Sequence, residues 1–225
     1  MIDHWLITHP NQELQQTLSK ALNIQPLTAQ LLINRGVTSV DHARQFITPH
    51  LNKLPDPFAM PQMKTAVERI IRAIHNEESI AIYGDYDVDG ITSTALLVRF
   101  FDEIGIKVLS FIPHRTRDGY GMSKRGIDEL KKQQVSLIIT VDNGMRSQNE
   151  INYAHEVGLE VIVTDHHEPD GELQNVIAAL NPKLCEANSA FQNLSGCGVA
   201  FMLLMALRKQ LREENLLSKP EPNLK

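Results

Sequence analysis

Three short segments of this 225-residue chain hold the residue types that do chemistry. The first, Ile80-Ala81-Ile82-Tyr83-Gly84-Asp85-Tyr86-Asp87-Val88-Asp89-Gly90, is a hydrophobic strand pattern that ends in three carboxylates at alternate positions and a glycine. Three anions this close repel one another unless a cation sits among them. Asp85, Asp87, Asp89 and Gly90 also match the opening of an EF-hand loop, but its last ligand position falls on Leu96 and a strand, not a helix, leads in. A solvated acidic turn that caps a helix starting at Thr92 is the plainer alternative for this segment alone, and it stays open. The second segment, Leu137 to Gly144, is a strand pattern ending in Asp142-Asn143-Gly144, which by itself is ordinary turn chemistry. The third, Val161 to Glu168, delivers Asp165, His166 and His167 in succession from an apolar run. A lone histidine is more often structural than a ligand; Asp-His-His at the mouth of a buried strand favours the ligand reading.

Convergence matters more than any single segment. In an open parallel sheet, ligands bind in the crevice beyond the carboxyl ends of the strands, and all three acid-bearing segments lie at such ends. Carboxylates with one or two imidazoles suit Mn²⁺ or Mg²⁺, and the absence of cysteine from the three segments argues against structural zinc. Two divalent ions a few ångströms apart are the usual apparatus for in-line attack of water on a phosphoryl group.

The elements that position these residues follow from periodicity. Apolar residues from Asn11 to about Ile47 recur at three- and four-residue spacing, which predicts short packed helices, and Pro55, Pro57 and Pro61 make the next stretch a connector. Met63 to His75 is strongly amphipathic. Beyond it, strand patterns at Ser79 to Tyr83, Lys107 to Ile112, Val135 to Val141, Glu160 to Thr164 and Val176 to Leu180 alternate with helical patterns at Thr92 to Ile104, Lys124 to Gln134, Ser147 to Val157 and Gly198 to about Asn215. The expected fold is α/β: a mostly parallel sheet with helices on both faces, preceded by a small N-terminal helical segment. The expected organisation is helical segment and connector over 1–61, the α/β domain over 62–215, and a linker-like tail over 216–225.

Composition narrows the function classes. Hydrophobic residues at 42% and charged residues at 22% describe an ordinary globular chain, and a net charge of −5 provides no global attraction to nucleic acid or anionic lipid. Any such binding is local. Between Arg99 and Lys132 eight Lys and Arg face five Asp and Glu, with Arg115 and Arg117 beside the loop of Tyr120. A phosphate-binding Arg115 next to a base-stacking Tyr120 suits single-stranded substrate; Lys124, Arg125, Lys131 and Lys132 read equally as the solvated face of a helix. Gly196 and Gly198 precede the final helix, where backbone N–H groups can receive a phosphate or where helix packs closely on strand. Cys185 and Cys197 are too few and too far apart for a CxxC motif and are expected as small core residues of a cytoplasmic protein. The run Val199 to Leu207 is too short to span a bilayer, and Met1-Ile2-Asp3-His4 lacks a signal-peptide layout, so neither membrane nor export is expected.

Gly84-Asp85-Tyr86-Asp87-Val88-Asp89-Gly90, Asp142-Asn143-Gly144 and Asp165-His166-His167 resemble successive motifs of the DHH phosphoesterase superfamily. Leu31 to Gly36, Leu54 to Phe58, Pro113-His114-Arg115 with Gly119-Tyr120-Gly121, and Leu194 to Phe201 resemble more narrowly its RecJ-like branch, the bacterial single-strand-specific 5′→3′ DNA exonucleases of repair and recombination. The resemblance runs from about Trp5 to Leu207. It implies that Asp87, Asp89, Asp142 and His166 hold Mn²⁺ or Mg²⁺, two ions in the complete site, with Asp142 bridging. It further implies that Asp85 is a ligand or stands behind one, that His167 contacts the scissile phosphate or a metal, and that Asp165 orients an imidazole. Single-stranded DNA is the partner that the resemblance implies, with single-strand-binding protein and a helicase as further ones.

Two departures stand out. Small-molecule phosphatases of the superfamily have a histidine where this chain has Tyr83, and the chain ends before the fourth motif and the downstream domains of RecJ-like proteins, so weak or absent nuclease activity is expected of this length of chain alone. The alternatives are a phosphoesterase for short oligonucleotides or nucleotide phosphates, and a non-catalytic partner-binding module.

Overall fold

The computed structural model describes residues 9, 11–117, 119–187, 189–217 and 221. The opening residues 1–8 and most of the expected tail lie outside them; within the tail, Leu217 packs against the core and Glu221 ion-pairs Arg208 and Arg212. The chain forms two compact units, Met1–Leu54 and Pro55–Lys225.

The first unit holds α1 (Gln12–Leu22), α2 (Pro26–Asn34) and α3 (Val40–Ile47). Asn11 and Ser39 cap α1 and α3 by accepting backbone N–H groups, and α2 starts on Pro26, whose missing N–H costs nothing at a first turn. Leu18, Ala29, Leu32, Val37 and Ala43 close its small core.

The second unit is a five-stranded parallel sheet, β1 (Ile80–Tyr83), β2 (Leu109–Phe111), β3 (Leu137–Val141), β4 (Glu160–Thr164) and β5 (Ala178–Leu180), in the order β2-β1-β3-β4-β5. Side chains alternate between two cores. Ile80, Ile82, Leu137 and Ile139 pack on one side with α4 (Met63–His75), α5 (Val88–Glu103) and α8 (Gly196–Glu213). Ala81, Tyr83, Ile138 and Val161 pack on the other with α6 (Lys124–Lys132) and α7 (Gln148–Glu156). Both faces are covered, which is why the central strands read as unbroken apolar runs. The connections from β1 and from β3 leave in opposite directions, so the sheet has its switch point between these two strands, at the end where ligands bind.

Several boundaries differ from the sequence expectation, and those of α5, α8 and the edge strands bear on the site. Helix α5 starts at Val88, not Thr92, because Asp87 is its N-cap and accepts the N–H groups of Asp89 at 2.9 Å and Gly90 at 3.0 Å. Helix α8 starts at Gly196, capped by Ser195. The edge strands β2 and β5 have three residues each, since each has a partner on one side only. Cys185 and Cys197 form no disulfide; both are half-buried, and Cys185 packs against the core. Among the described residues, no helix is long and apolar enough to cross a membrane.

Candidate metal centre

The exits of β1, β3 and β4 bring the three acidic segments together. At β1 the chain turns tightly into α5, and Gly90 makes this possible: a Cβ there would overlap the backbone of Asp85. Asp85 is buried, and its carboxylate oxygens make no well-formed hydrogen bond, although the Tyr86 and Gly121 N–H groups lie near enough to favour its charged form. Burial, and then the charge of Asp87, push its carboxyl above the ordinary range. Asp87 behaves oppositely, held low chiefly by the Gly90 N–H.

At β3, Asp142 takes the left-handed conformation at φ 62°, which Asp tolerates better than most residues. Its N–H donates to the Thr164 carbonyl at 2.9 Å, and the Asn143 amide beside it donates to the carbonyls of Tyr83 at 3.1 Å and Val141 at 2.9 Å. The turn is thus tied to both neighbouring strands. The side chain of Asp142 is 1% exposed, and neither oxygen accepts a hydrogen bond. His166 Nε2 faces its Oδ1 at 3.1 Å. Burial, together with the charges of Asp89 and Asp87, pushes its carboxyl up to about 8.

At β4, Asp165 is fully used. Its Oδ1 accepts the N–H groups of His166 at 2.7 Å and His167 at 3.2 Å and pairs with His167 Nδ1 at 2.7 Å, while Oδ2 accepts the Met145 N–H at 2.9 Å. With Nδ1 carrying the proton toward Asp165, His167 Nε2 keeps a lone pair for the site.

Two ligand triads result. Asp85, Asp87 and Asp142 offer atoms all within 4.8 Å of one another, and so do Asp142, His166 and His167. Asp142 belongs to both. A buried pair of carboxylates with no well-formed hydrogen bond from a donor is costly unless it takes up a proton or a cation occupies the space between them, and the oxygen and imidazole donors suit Mn²⁺ or Mg²⁺. Asp89 is in neither triad: its oxygens accept the N–H groups of Gly196 and Cys197 and the Ser195 hydroxyl, and its Oδ2 lies 3.8 Å from His166 Nε2.

Tyr83 points away into the core against α6, 0% exposed, and its hydroxyl accepts the Ser123 N–H at 3.1 Å. Tyr83→Phe is therefore expected to cost about 1–2 kcal/mol of stability by orphaning that donor, with Mn²⁺ affinity unchanged in calorimetry.

The sequence-predicted substrate residues divide. Tyr120 sits at the site, its hydroxyl donating to the Asp142 carbonyl at 3.3 Å and lying 3.2 Å from His167 Nδ1. Burial, then Asp165 and Asp142, push its phenol up, so it stays a neutral donor. Arg115 stacks over Tyr86 at 5.4 Å, and Tyr86 meets Tyr120 edge-on at 6.4 Å. Sequence reasoning missed Tyr86 as the link in this row; its place between Asp85 and Asp87 was the available signal. Gly196 and Gly198 do not precede α8 but begin it, and their N–H groups are occupied by Asp89 and by Ser195 Oγ, so the free donors expected for a phosphate are already engaged. Lys124, Arg125, Lys131 and Lys132 lie on α6, where Arg125 pairs with Glu129 at 3.7 Å and Lys124 sits over the Tyr153 ring.

The chain is 42% identical over 212 residues to the single-stranded-DNA-specific exonuclease RecJ of Bacillus subtilis, covering 94% of this chain and 27% of that protein. It is 35% identical over 205 residues to the Escherichia coli exonuclease of the same name, covering 90% of this chain and 35% of that one. The structure of Thermus thermophilus RecJ in complex with Mn²⁺ superposes with a TM-score of 0.69 at 29% identity, over 95% of this chain and 29% of that one. The chain thus spans about a quarter to a third of the length of these relatives. Residues 79–223, which contain all three strand-end motifs and the whole sheet, match the N-terminal domain of the DHH family, and the chain belongs to that family.

Proposed function

We propose that this chain is the metal-holding N-terminal lobe of a RecJ-like exonuclease that hydrolyses phosphodiester bonds in single-stranded DNA from the 5′ end, in repair and recombination. The observation that carries the proposal is the pair of ligand triads sharing buried Asp142 at the switch point of the sheet. In this reading Asp87, Asp142 and His166 are metal ligands, Asp85 and His167 complete the triads, and Asp89 approaches from the α8 side. Mn²⁺ or Mg²⁺ pairs, when bound, supply activation of water and neutralisation of phosphate charge. The chain's own residues do the rest. Asp165 fixes the ring of His167, Tyr120 offers a neutral O–H beside it, and Arg115 with Tyr86 and Tyr120 forms a cationic and aromatic rim suited to phosphate and stacked base. The reading places the protein in the cytoplasm, with a single-strand-binding protein and a helicase as further partners on the strength of the family resemblance.

Calorimetric titration with MnCl₂ tests the metal reading. Saturable binding is expected, and Asp87→Ala is expected to weaken it at least 10-fold; no binding by the unaltered chain refutes it. Fluorescence polarisation with a labelled single strand against a dinucleotide separates the exonuclease reading from a phosphoesterase for short oligonucleotides: preference for the longer ligand is expected, and equal or reversed preference favours the alternative.

A further inference from the structure

At 18 residues, α8 begins at the metal centre and runs away from it along the sheet. Its first residues do two things at once. The Gly196 N–H donates to Asp89 Oδ2 at 2.7 Å, the Cys197 N–H to Oδ1 at 2.9 Å and the Ser195 hydroxyl to Oδ1 at 3.2 Å. The same helix end also receives Asp142, because a Cβ on Gly196 would overlap its carboxylate. Asp142 is buried, neither of its oxygens accepts a well-formed hydrogen bond, and it is aimed at this helix start. His166 Nε2 spans the two acids, 3.1 Å from Asp142 and 3.8 Å from Asp89.

We propose that the Ser195-Gly196-Cys197 start of α8 is a positioning element of the metal centre. It freezes the Asp89 carboxylate by three hydrogen bonds and, through the missing side chain of Gly196, lets Asp142 close to the distance at which one imidazole meets both acids. The positive end of the helix faces the Asp89 carboxylate and favours the ionised form of Asp142 that a cation needs. Once ions bind, the orientation of Asp89 is already set, so less rotational freedom is lost. The inference rests on the metal reading above and assigns the helix start a part in metal affinity that is separate from holding the fold.

The test compares Mn²⁺ dissociation constants by calorimetry, and metal-free melting temperatures, for the unaltered chain, Gly196→Ala, Ser195→Ala, Ser195→Thr and Ser123→Ala. Ser123 caps α6 in the way that Ser195 caps α8, so it controls for the loss of a cap alone. Gly196→Ala and Ser195→Ala are expected to weaken Mn²⁺ binding about 10–100-fold, the usual effect of losing a partner that orients a ligand. Ser195→Thr is expected to restore affinity, and Ser123→Ala to lower melting without changing it. If Gly196→Ala does not fold, Ser195→Ala decides. A folded Ser195→Ala chain with the affinity of the unaltered one overturns the positioning role and leaves the metal reading standing; an unaltered chain that binds no Mn²⁺ overturns both.

Discussion

Asp142→Asn is expected to raise the melting temperature of the metal-free chain at pH 8 while abolishing its response to Mn²⁺. The carboxyl of Asp142 is pushed up to about 8 in the folded protein by burial and by Asp89 and Asp87, whereas an unfolded aspartate titrates near ~3.9. Between those values the unfolded chain has released the proton that the folded chain still holds, so this residue makes stability fall as pH rises from about 4 to about 8, after which its contribution is constant. Asparagine fits the same left-handed turn and does not titrate. The gain at pH 8 is on the order of 5 kcal/mol, or roughly 10–20 °C for a unit of this size, and it vanishes near pH 4. Both triads lose their shared ligand, so Mn²⁺ affinity is expected to drop by more than about 100-fold. Calorimetric melting at pH 4 and pH 8, with and without MnCl₂, checks both halves. A difference between variant and parent that does not depend on pH would remove the argument.

Asp165→Asn should have the opposite effect on stability and a comparable one on function. Four N–H groups converge on this buried carboxylate: three on Oδ1 and the Met145 N–H on Oδ2. An amide presents one acceptor and one donor, so in either orientation its NH₂ faces at least one N–H head-on. Loss of about 2–4 kcal/mol is expected from the broken and unsatisfied bonds. His167 also loses the acceptor that sets its tautomer. Mn²⁺ affinity is then expected to fall about 10–100-fold, because the ring that offers Nε2 is no longer held in place. Chemical denaturation reads the first effect, and nitrogen NMR of the imidazole reads the second. Unchanged stability together with an unchanged tautomer would show that Asp165 neither anchors the turn nor orients the ring.

Much of this architecture was legible before any coordinates. Strands buried on both faces announce themselves as apolar runs, and the residue that follows such a run lands at the ligand end of the sheet, so Asp85, Asp142 and Asp165 to His167 could be placed together. The pairing order was not legible, because nothing in the spacing of β1 and β3 says that they are neighbours. The division of labour among Asp85, Asp87 and Asp89 was hidden for a related reason. Alternate spacing treats the three alike, but α5 begins at Val88, and the helical turn carries Asp89 off the strand line and onto the start of α8. Gly196 could be singled out as a glycine before a helix, yet its purpose depends on Asp142, 54 positions earlier in the chain, whose side chain lies where a Cβ would go.

The left-handed turn at position 142 has an evolutionary consequence. It accepts asparagine as well as aspartate, and the exchange is expected to make the metal-free protein more stable. Descent under pressure for robustness alone would therefore erase the acid and leave a lineage that still folds, still superposes on its relatives and no longer reacts. An asparagine at this position would mark a chain that had kept the fold and given up the shared ligand.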